Sequence, residues 1–272
     1  MRCFFYDPAQ ESGEQVVIQG AEAHHISTVL RLRLGDKAEL LDGAGRMLVS
    51  QIEEISADRV LFRILRRCHE LPSRSPLTLA AALLKGKKMD LLVQKATELG
   101  VHSFVPLITR YCERQNRDKV LFDRWQRIMR EACKQCRQPW LMRISRPLPL
   151  HELDMPPDSL KIMPWEQERR CSFSDLALQA GQPALLLLGP EGGFHPDEVD
   201  FARSGGFRTV SLGPRTLRAE TAALTAAVLV QHGLGNLAPA PERYFTSDHD
   251  HQKDHHSPCS SAAGKSSGNH SI

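Results

Sequence analysis

Two glycine-rich turns carry the residue types with which a protein could bind a small organic ligand. The first, Gly189-Pro-Glu-Gly-Gly193, follows four consecutive leucines, and the second spans Leu212 to Thr221 after the apolar run RTVSL. Glycines let a ligand approach the backbone closely, and exposed backbone N–H and C=O groups can recognise the edge of a flat heterocycle. Because ligands of open α/β sheets bind at the carboxyl ends of strands, the two turns predict one shared pocket.

The composition of the first turn argues against a phosphate ligand. Neither GxxxxGK[ST] nor GxGxxG occurs in the sequence, so both common phosphate-binding fingerprints are absent. Glu191 would also place a negative charge where an anion should sit. A neutral or cationic ligand suits the turn better, and S-adenosylmethionine, with an uncharged adenine and a positive sulfonium, has that chemistry.

The second turn makes a purely structural explanation of the first less attractive. Glycine and proline punctuate ordinary loops, so GPEGG alone is consistent with a tight connection. The second turn, however, places Arg215, Arg218, Glu220 and Thr221 directly before a strongly apolar helix pattern. Packing does not require this concentration of polar groups, which therefore favours a binding or catalytic role.

The elements that must position these turns follow from the hydrophobic pattern. The first 70 or so residues contain short apolar runs, with a hairpin signal at DGAG and a short helix ending near Gly35. The proline- and serine-containing stretch Glu70–Leu77 predicts a linker. After it, continuous apolar strands such as LTLAAALL alternate with amphipathic helices, which is typical of an α/β domain with a largely parallel sheet. We therefore expect domains at 1–72 and 73–238, followed by a disordered, His- and Ser-rich tail at 239–272.

Composition restricts the class of protein. The chain has 272 residues, 41% of them hydrophobic, a formal net charge of +3 and few aromatics, so RNA binding is permitted but no aromatic base-stacking platform is evident. No apolar run approaches the about 20 residues of a membrane span, and the N-terminus does not have the pattern of a secretory signal. Seven scattered cysteines are interpreted as reduced thiols in a cytosol; Cys133 and Cys136 lack the second pair that a zinc finger needs. The histidines of the tail could bind metal, but a solvated extension is the simpler interpretation.

Several motifs in order resemble the ribosomal RNA small-subunit methyltransferase E family. They are HHISTVLRLRLGD, KGKKMDLLVQKATELGV, EACKQC before an Arg and a Pro, GPEGGF before a P-x-E helix start, and LGPRTLRAETA. The resemblance covers roughly residues 1 to 238. It departs at His195, where the family often has a serine helix cap, and near Arg137, where the stretch before Pro139 is shortened.

The resemblance implies a SPOUT-type, trefoil-knotted parallel-sheet domain, a small N-terminal PUA-like β-barrel domain for RNA, a homodimer, and methylation of N3 of one uridine in 16S rRNA of the 30S subunit. It places the cofactor S-adenosylmethionine between the two turns. We expect cofactor contacts from Leu188, Gly189, Glu191, Gly193, Leu212, Gly213, Leu217, Arg218, Thr221 and Ala222.

The catalytic requirement is to stabilise an N3 anion. Uridine N3–H is a weakly acidic imide, and the sulfonium itself supplies the electrophile, so the protein must contribute positioning and a cationic environment. Arg218 is the stronger candidate and Arg215 the weaker; an ion pair between Arg218 and Glu220 is the structural alternative. Glu220 or Glu191 could act as a base, but an ordinary carboxylate is poorly matched to an imide proton. No base is assigned.

Basic clusters are the candidates for RNA contact. They are Arg31 and Arg33 with His24 or His25 behind them, and the lysine group that includes Lys85 and Lys88. Solvated surface charge is the alternative explanation. Two other functions stay open: methylation of a different atom such as a ribose 2′-OH, and a non-catalytic rRNA-binding assembly factor.

Overall fold

The computed structural model describes residues 1–112 and 119–239. Nearly all of the predicted tail, and with it the expectation that it is disordered, lies outside the described residues. The described chain forms two sheets, one from residues near the N-terminus and one from the remainder. In the described part of the chain, no helix combines the length and the apolar character needed to cross a membrane.

The N-terminal sheet has six strands in the order β1-β4-β5-β6-β3-β2. The strands are β1 (Arg2–Phe5), β2 (Glu11–Ser12), β3 (Gln15–Gln19), β4 (Lys37–Leu41), β5 (Arg46–Ile55) and β6 (Arg59–His69). Only β1 and β4 pair in parallel; the other neighbours are antiparallel. Their alternating apolar side chains enclose a core around Phe4, Leu48 and Phe62, each at most 1% exposed.

The hairpin predicted at DGAG is confirmed, because β4 and β5 pair antiparallel on either side of it. The predicted helix is shorter than expected. It comprises α1 (Ala21–His24) and one π-helical stretch, His25–Val29, rather than continuing towards Gly35. Arg31 then has φ = 53°, a left-handed conformation that an α-helix cannot include. The residues from Arg31 to the start of β4 at Lys37 therefore form a loop.

The C-terminal sheet has seven strands, all paired in parallel, in the order β10-β8-β7-β12-β11-β13, with β9 also on β8. They are β7 (Leu77–Ala82), β8 (Ser103–Ile108), β9 (Arg143–Ile144), β10 (Leu148–Pro149), β11 (Leu160–Pro164), β12 (Ala184–Leu188) and β13 (Arg208–Val210). The prediction of a parallel α/β domain is thus confirmed.

Helices cover both faces of this sheet. They are α2 (Lys88–Glu98), α3 (Lys119–Cys136), α4 (Pro196–Ser204) and α5 (Ala219–Gly233). In β12, Leu186 and Leu188 belong to the core formed with α2, α3 and α5, whereas Leu185 and Leu187 belong to the core formed with α4. A strand buried on both faces needs a continuous apolar run, which explains the four leucines.

The two sheets are joined by backbone contacts rather than by the linker alone. The Gly45 N–H donates to the Pro139 carbonyl at 3.1 Å, and the Leu141 N–H donates to the Gly43 carbonyl at 3.1 Å. Gly45 has φ = 99°, and a Cβ there would lie 2.5 Å from Cζ2 of Trp140. The DGAG turn therefore has a second role, as the part of the hairpin that docks on the chain after α3.

Candidate functional site

The carboxyl ends of three adjacent strands bring the two predicted turns together. β12, β11 and β13 are neighbours in the sheet and parallel, so Leu188, Pro164 and Val210 all end at one edge. A cavity of about 610 Å³ opens there. That volume lies within the range of sites that hold a drug-sized or cofactor-sized molecule, about 300–1,000 Å³.

Most of the predicted cofactor-binding residues line this cavity. Those lining it are Leu188, Gly189, Glu191, Gly193, Leu212, Gly213, Leu217, Arg218 and Ala222. Thr221 does not line the cavity; it is exposed on the first turn of α5. Glu220 also lies outside the lining, with a side chain only 16% exposed.

A third wall comes from the segment after β11, which the sequence analysis did not include. Pro164, Trp165, Glu166 and Arg169 line the cavity as well. The sequence signal was the polar WEQERR run directly after a predicted strand. Its relevance depends on β11 lying between β12 and β13, which is a property of the topology.

The third wall and the first turn are in close contact at Gly193. This residue has φ = 72°, and a Cβ there would lie 2.8 Å from Glu166 Oε1. Both the backbone conformation and the contact require glycine. The turn can therefore approach the WEQERR segment and narrow the cavity between them.

Glu168 fixes the conformation of the third wall. Its carboxylate accepts hydrogen bonds from the backbone N–H groups of Arg169, Arg170 and Cys171, and from Thr209 Oγ1 on β13 at 2.6 Å. The Thr209 hydroxyl, followed by these N–H groups, lowers the pKa of Glu168 to about 2. The carboxylate thereby ties the loop after β11 to the neighbouring strand.

Lys88 links the two glycine-rich turns through their carboxylates. Its Nζ lies 3.0 Å from Glu191 Oε1 and 3.5 Å from Glu220 Oε2. The buried Glu220 oxygen makes no hydrogen bond, so the Lys88 contact is an ion pair only. The hydrogen bond to Glu191, followed by the opposing effect of desolvation and the charges of both carboxylates, raises the pKa of Lys88 above its ordinary value.

Glu191 joins its turn to the segment between β7 and α2. Oε1 accepts from the Lys85 N–H at 3.1 Å as well as from Lys88. Burial raises the pKa of this carboxyl, but the hydrogen bonds from Lys88 and from backbone N–H groups outweigh burial, so the net pKa lies below the ordinary value. An ionised carboxylate whose charge is stabilised by these hydrogen bonds is a weak proton acceptor.

Arg218 does not form the ion pair with Glu220 that was the structural alternative to a catalytic role. It is exposed, lines the cavity and stands at the N-cap position of α5. No ion pair joins it to Glu220 in the described structure; the partner of Glu220 is Lys88. The exposed Arg215 lines the same cavity. Two guanidinium groups are thus available at one side of the pocket.

His195 caps α4, although the family often has a serine at this position. Its Nδ1 accepts from the Asp197 N–H at 3.2 Å, while Glu198 Oε2 accepts from the His195 N–H at 2.9 Å. This reciprocal pair is a capping box, with Pro196 at the start of α4. The histidine substitutes for a serine cap without loss of the motif.

The candidate RNA-binding residues occupy two separate regions of sequence and structure. Arg31 and Arg33 are exposed in the loop between α1 and β4. Lys85 is exposed after β7, whereas Lys88 is one-third exposed and engaged by Glu191 and Glu220. Arg137, near which the sequence departs from the family pattern, has its Nε 3.3 Å from Glu39 Oε2 of β4. Among residues 1–112 and 119–239, no group of three or more His, Cys, Asp or Glu side chains is arranged to hold a metal ion.

Two family models match the chain, one in the region of each sheet. A model described as an RNA methyltransferase domain matches residues 69–231, and one described as an RNA methyltransferase PUA domain matches residues 18–65. The chain is 34% identical over 226 residues to Ribosomal RNA small subunit methyltransferase E of Synechocystis sp., covering 80% of this chain and 73% of that protein. The protein of the same name from Mycobacterium bovis is 30% identical over 232 residues, with coverages of 82% and 88%.

The chain belongs to the ribosomal RNA small subunit methyltransferase E family.

Solved structures agree with this family membership. The Ribosomal RNA small subunit methyltransferase E of Neisseria gonorrhoeae, crystallised with S-adenosyl methionine, matches with a TM-score of 0.78 and 28% identity, covering 85% of this chain and 97% of that one. A Legionella pneumophila methyltransferase in complex with the same cofactor gives a TM-score of 0.75 and 29% identity, with coverages of 85% and 96%.

Membership of the methyltransferase E family confirms the predicted fold class of an α/β parallel-sheet domain with a PUA-like N-terminal module. The trefoil knot stays a prediction. So do the domain limits at 72/73 and 238/239, although β6 ends at His69 and β7 begins at Leu77.

Proposed function

We propose that this chain, which as a member of the methyltransferase E family is an S-adenosylmethionine-dependent rRNA methyltransferase, methylates N3 of a specific uridine in the 16S rRNA of the small ribosomal subunit. The cavity formed by both glycine-rich turns at the ends of β12, β11 and β13 carries the proposal. Membership of the methyltransferase E family and the cofactor-bound relatives support it. The specific atom and rRNA come from the family resemblance of the sequence motifs.

The cavity residues fit S-adenosylmethionine. Leu188, Leu212 and Leu217 offer apolar surface for the adenine, and the glycines at 189, 193 and 213 leave backbone groups accessible beside it. The lining carries the carboxylates of Glu166 and Glu191, which can pair with the cofactor's cationic groups, together with the cations Lys88, Arg169, Arg215 and Arg218, which can pair with its carboxylate. When bound, the cofactor supplies an electrophilic methyl group.

The chain's own residues must deal with the N3 proton and the charge that its loss creates. Methylation would break the N3–H bond, with the proton leaving to water or to a protein acceptor, and the sulfonium–methyl bond of the cofactor would break as N3 gains the methyl group, leaving a neutral thioether. Arg218, which has no carboxylate partner in the described structure, is available to stabilise the developing anion on the uracil ring. Arg215 can contribute a second, more distant positive charge.

The geometry does not favour a carboxylate base. Glu191 accepts two hydrogen bonds, one of them from Lys88, and its pKa is lowered. Glu220 lies outside the cavity lining, beside the same ammonium group. We assign Glu220 a positioning role with Lys88 rather than the catalytic role expected from sequence, and we leave the acceptor of the proton unassigned.

For recognition of the rRNA, we propose that Arg31, Arg33 and Lys85 contact phosphates. All three are exposed, and phosphate contacts need only accessible cations. Lys88 is the weakest of the four predicted RNA ligands because its charge is already balanced by two carboxylates.

We further propose that the enzyme is a cytoplasmic homodimer with a knotted C-terminal domain. The face of α5 that carries Val228 and Leu229 leaves these side chains 39% and 38% exposed. Exposed aliphatic side chains on one face of a helix suit a protein interface. Sedimentation of the purified chain tests the dimer directly.

The decisive experiment incubates the protein with methyl-labelled S-adenosylmethionine and 30S subunits, or naked 16S rRNA, from a strain without this activity. The modified nucleotide is then mapped and identified. Transfer to uridine N3 is expected. A 2′-O-methyl product would overturn the atom assignment, and rRNA binding without any transfer would favour an assembly factor.

A further inference from the structure

One aromatic side chain stands exposed beside the cavity without being part of its wall. Tyr111 lies just after β8 and is 49% exposed. In the described residues, the other large aromatic side chain with comparable exposure is Phe201 on α4, at 38%. Burying an aromatic ring is strongly favourable, so an exposed one at a functional edge needs an explanation.

The position of Tyr111 is fixed by the first glycine-rich turn. A Cβ on Gly192 would lie 3.1 Å from the Tyr111 Cβ, so the turn and the tyrosine are in direct contact. Gly192 also lines the cavity. The ring meets His195 edge-on, with 5.8 Å between centroids and 62° between planes. One edge of the tyrosine is therefore held while about half of its surface faces solvent.

The charges around the ring suit a nucleic acid. The Arg110 side chain is 60% exposed and lies 3.4 Å from Asp197 Oδ2 and 3.3 Å from His195 Nδ1. The exposed Lys85 and Lys87 lie on the loop after the neighbouring strand, β7, and the Lys85 N–H is bound to Glu191 of the turn. The side chains of Arg110, Lys85 and Lys87 are all exposed at this rim and can reach phosphates.

We propose that Tyr111 is a stacking platform for an unpaired base of the RNA next to the methylated nucleotide. The inference rests on the proposed function for the identity of the RNA. A base whose N3 must enter a cavity has to leave its own stack, and its neighbours then lose a stacking partner. An aromatic ring at the rim of the cavity replaces that partner, and it does so for any base because every base has a π-face.

Variants of Tyr111 test this proposal because they change the aromatic ring and leave the neighbouring charged side chains in place. Tyr111→Leu removes the π-face and keeps apolar bulk, Tyr111→Phe keeps the ring, and Phe201→Leu is the matched control on an aromatic side chain away from the cavity. The measurements are filter binding of labelled fragments that together span 16S rRNA at several salt concentrations, the S-adenosylmethionine Kd by calorimetry, and the melting temperature.

Stacking predicts that Tyr111→Leu weakens RNA binding roughly ten-fold, a loss typical of one base–aromatic stack. The slope of log Kd against log salt should stay unchanged because no phosphate contact is lost. Tyr111→Phe and Phe201→Leu should bind RNA like the wild type, and the cofactor Kd should not move. Unchanged RNA binding by Tyr111→Leu overturns the inference. So does a loss of RNA affinity that is accompanied by a higher cofactor Kd or by a lower melting temperature that explains it.

Failure of the inference can be distinguished from failure of the proposed function. If the wild type methylates rRNA but Tyr111→Leu binds and turns over rRNA normally, only the stacking role is wrong. If the wild type transfers no methyl group while Tyr111→Leu still loses RNA affinity, only the methyltransferase assignment is wrong. The binding series therefore includes 30S subunits, and if the wild type binds neither these nor any of the 16S fragments, both are overturned.

Discussion

The ammonium group of Lys88 lies 3.0 Å from Glu191 and 3.5 Å from Glu220, so one side chain at the start of α2 contacts a carboxylate from each glycine-rich turn. Glu191 belongs to the turn after β12, and Glu220 to the turn that opens α5. The positive charge offsets two negative charges that would otherwise repel each other. The two glycine-rich turns are therefore coupled through Lys88, which lies in neither turn and itself lines the cavity.

Replacing this ammonium should loosen both turns. For Lys88→Met we expect the S-adenosylmethionine Kd to rise roughly three- to ten-fold, because a charge-assisted hydrogen bond that orders Glu191 is lost. The melting temperature should also fall, since Glu220 keeps a buried carboxylate without a counter-charge, and adding Glu220→Gln should restore part of it. Calorimetry and thermal unfolding measure these effects.

Lys95→Met is the matched control for that variant. Lys95 lies on the same helix and pairs with Glu98, but it is far along α2 from the cavity. Its substitution should leave cofactor affinity unchanged. Equal cofactor affinities for the wild type and Lys88→Met would refute the coupling of the two turns.

Glu168 provides a test based on pH. Its folded-state pKa is lowered to about 2, so the stability that it contributes is fully present above the ordinary carboxyl pKa, near 4.3, and is lost as pH falls from about 5 towards 2. The Glu168→Gln variant cannot ionise. We expect the difference in unfolding free energy between wild type and variant to be large at pH 6 and to shrink by pH 3, as measured by urea unfolding at each pH.

Asp154→Asn, at an exposed aspartate between β10 and β11, controls for the general loss of carboxylate charge in acid. A wild type–Glu168→Gln difference that is constant between pH 6 and pH 3 would mean that the ionised carboxylate does not organise the loop. Because Trp165, Glu166 and Arg169 share this loop, the variant should also bind S-adenosylmethionine more weakly at pH 7.

Much of the fold follows from local pattern. Four successive leucines before Gly189 predict a strand covered on both faces, and the alternation of Leu185 and Leu186 between two cores shows why. Glu198 three residues after His195 predicts the capping box that the structure shows. In each case the signal and its cause lie within a few residues of each other.

The features that could not be predicted depend on strand order or on distant partners. Trp165 and Arg169 line the cavity only because β11 lies between β12 and β13. Lys88 was grouped with Lys85 as a basic patch, since nothing local places it between Glu191 and Glu220, about 100 and 130 residues further along the chain. The early end of α1 depends on the left-handed backbone at Arg31, for which an arginine gives no local indication.

The contact between the two sheets can be tested at Gly45. Gly45→Ala combines a left-handed backbone with a Cβ that overlaps Trp140 and lies 2.9 Å from the Glu70 carbonyl oxygen. Gly13→Ala has the same backbone problem at φ = 58° with no atom within 4 Å of the new Cβ. We expect Gly13→Ala to cost about 1–2 kcal/mol of unfolding free energy and Gly45→Ala roughly 1–3 kcal/mol more. Equal losses by denaturant titration would show that the docking contact tolerates displacement.

RNA contact by the α1–β4 loop predicts a specific salt dependence. The double variant Arg31→Ala, Arg33→Ala should bind 16S rRNA fragments more weakly at low salt and reduce the slope of log Kd against log salt by about 1 to 2, through the loss of up to two phosphate contacts. Filter binding at four or more salt concentrations measures both quantities. Arg59→Ala, Arg63→Ala is the control, because both side chains are already paired with carboxylates on the same sheet. An unchanged slope in the Arg31, Arg33 variant would remove this loop from the RNA interface.

Arg218 is the residue on which the proposed chemistry depends most. If its guanidinium stabilises the N3 anion, Arg218→Ala should lower kcat roughly 100- to 1,000-fold, as loss of an oxyanion-stabilising donor does, while the cofactor Kd changes far less. The activity that remains should rise more steeply with pH than that of the wild type, because ionisation of the imide then depends on solution pH rather than on the arginine.

Arg218→Lys should recover part of kcat, since it keeps the charge without the planar donor pair. Arg215 lines the same cavity, and Arg215→Ala removes the same charge, but its loss of kcat should be much smaller. If both alanine variants lowered kcat equally and had the pH profile of the wild type, the arginines would contribute general charge rather than stabilisation of the reacting nitrogen.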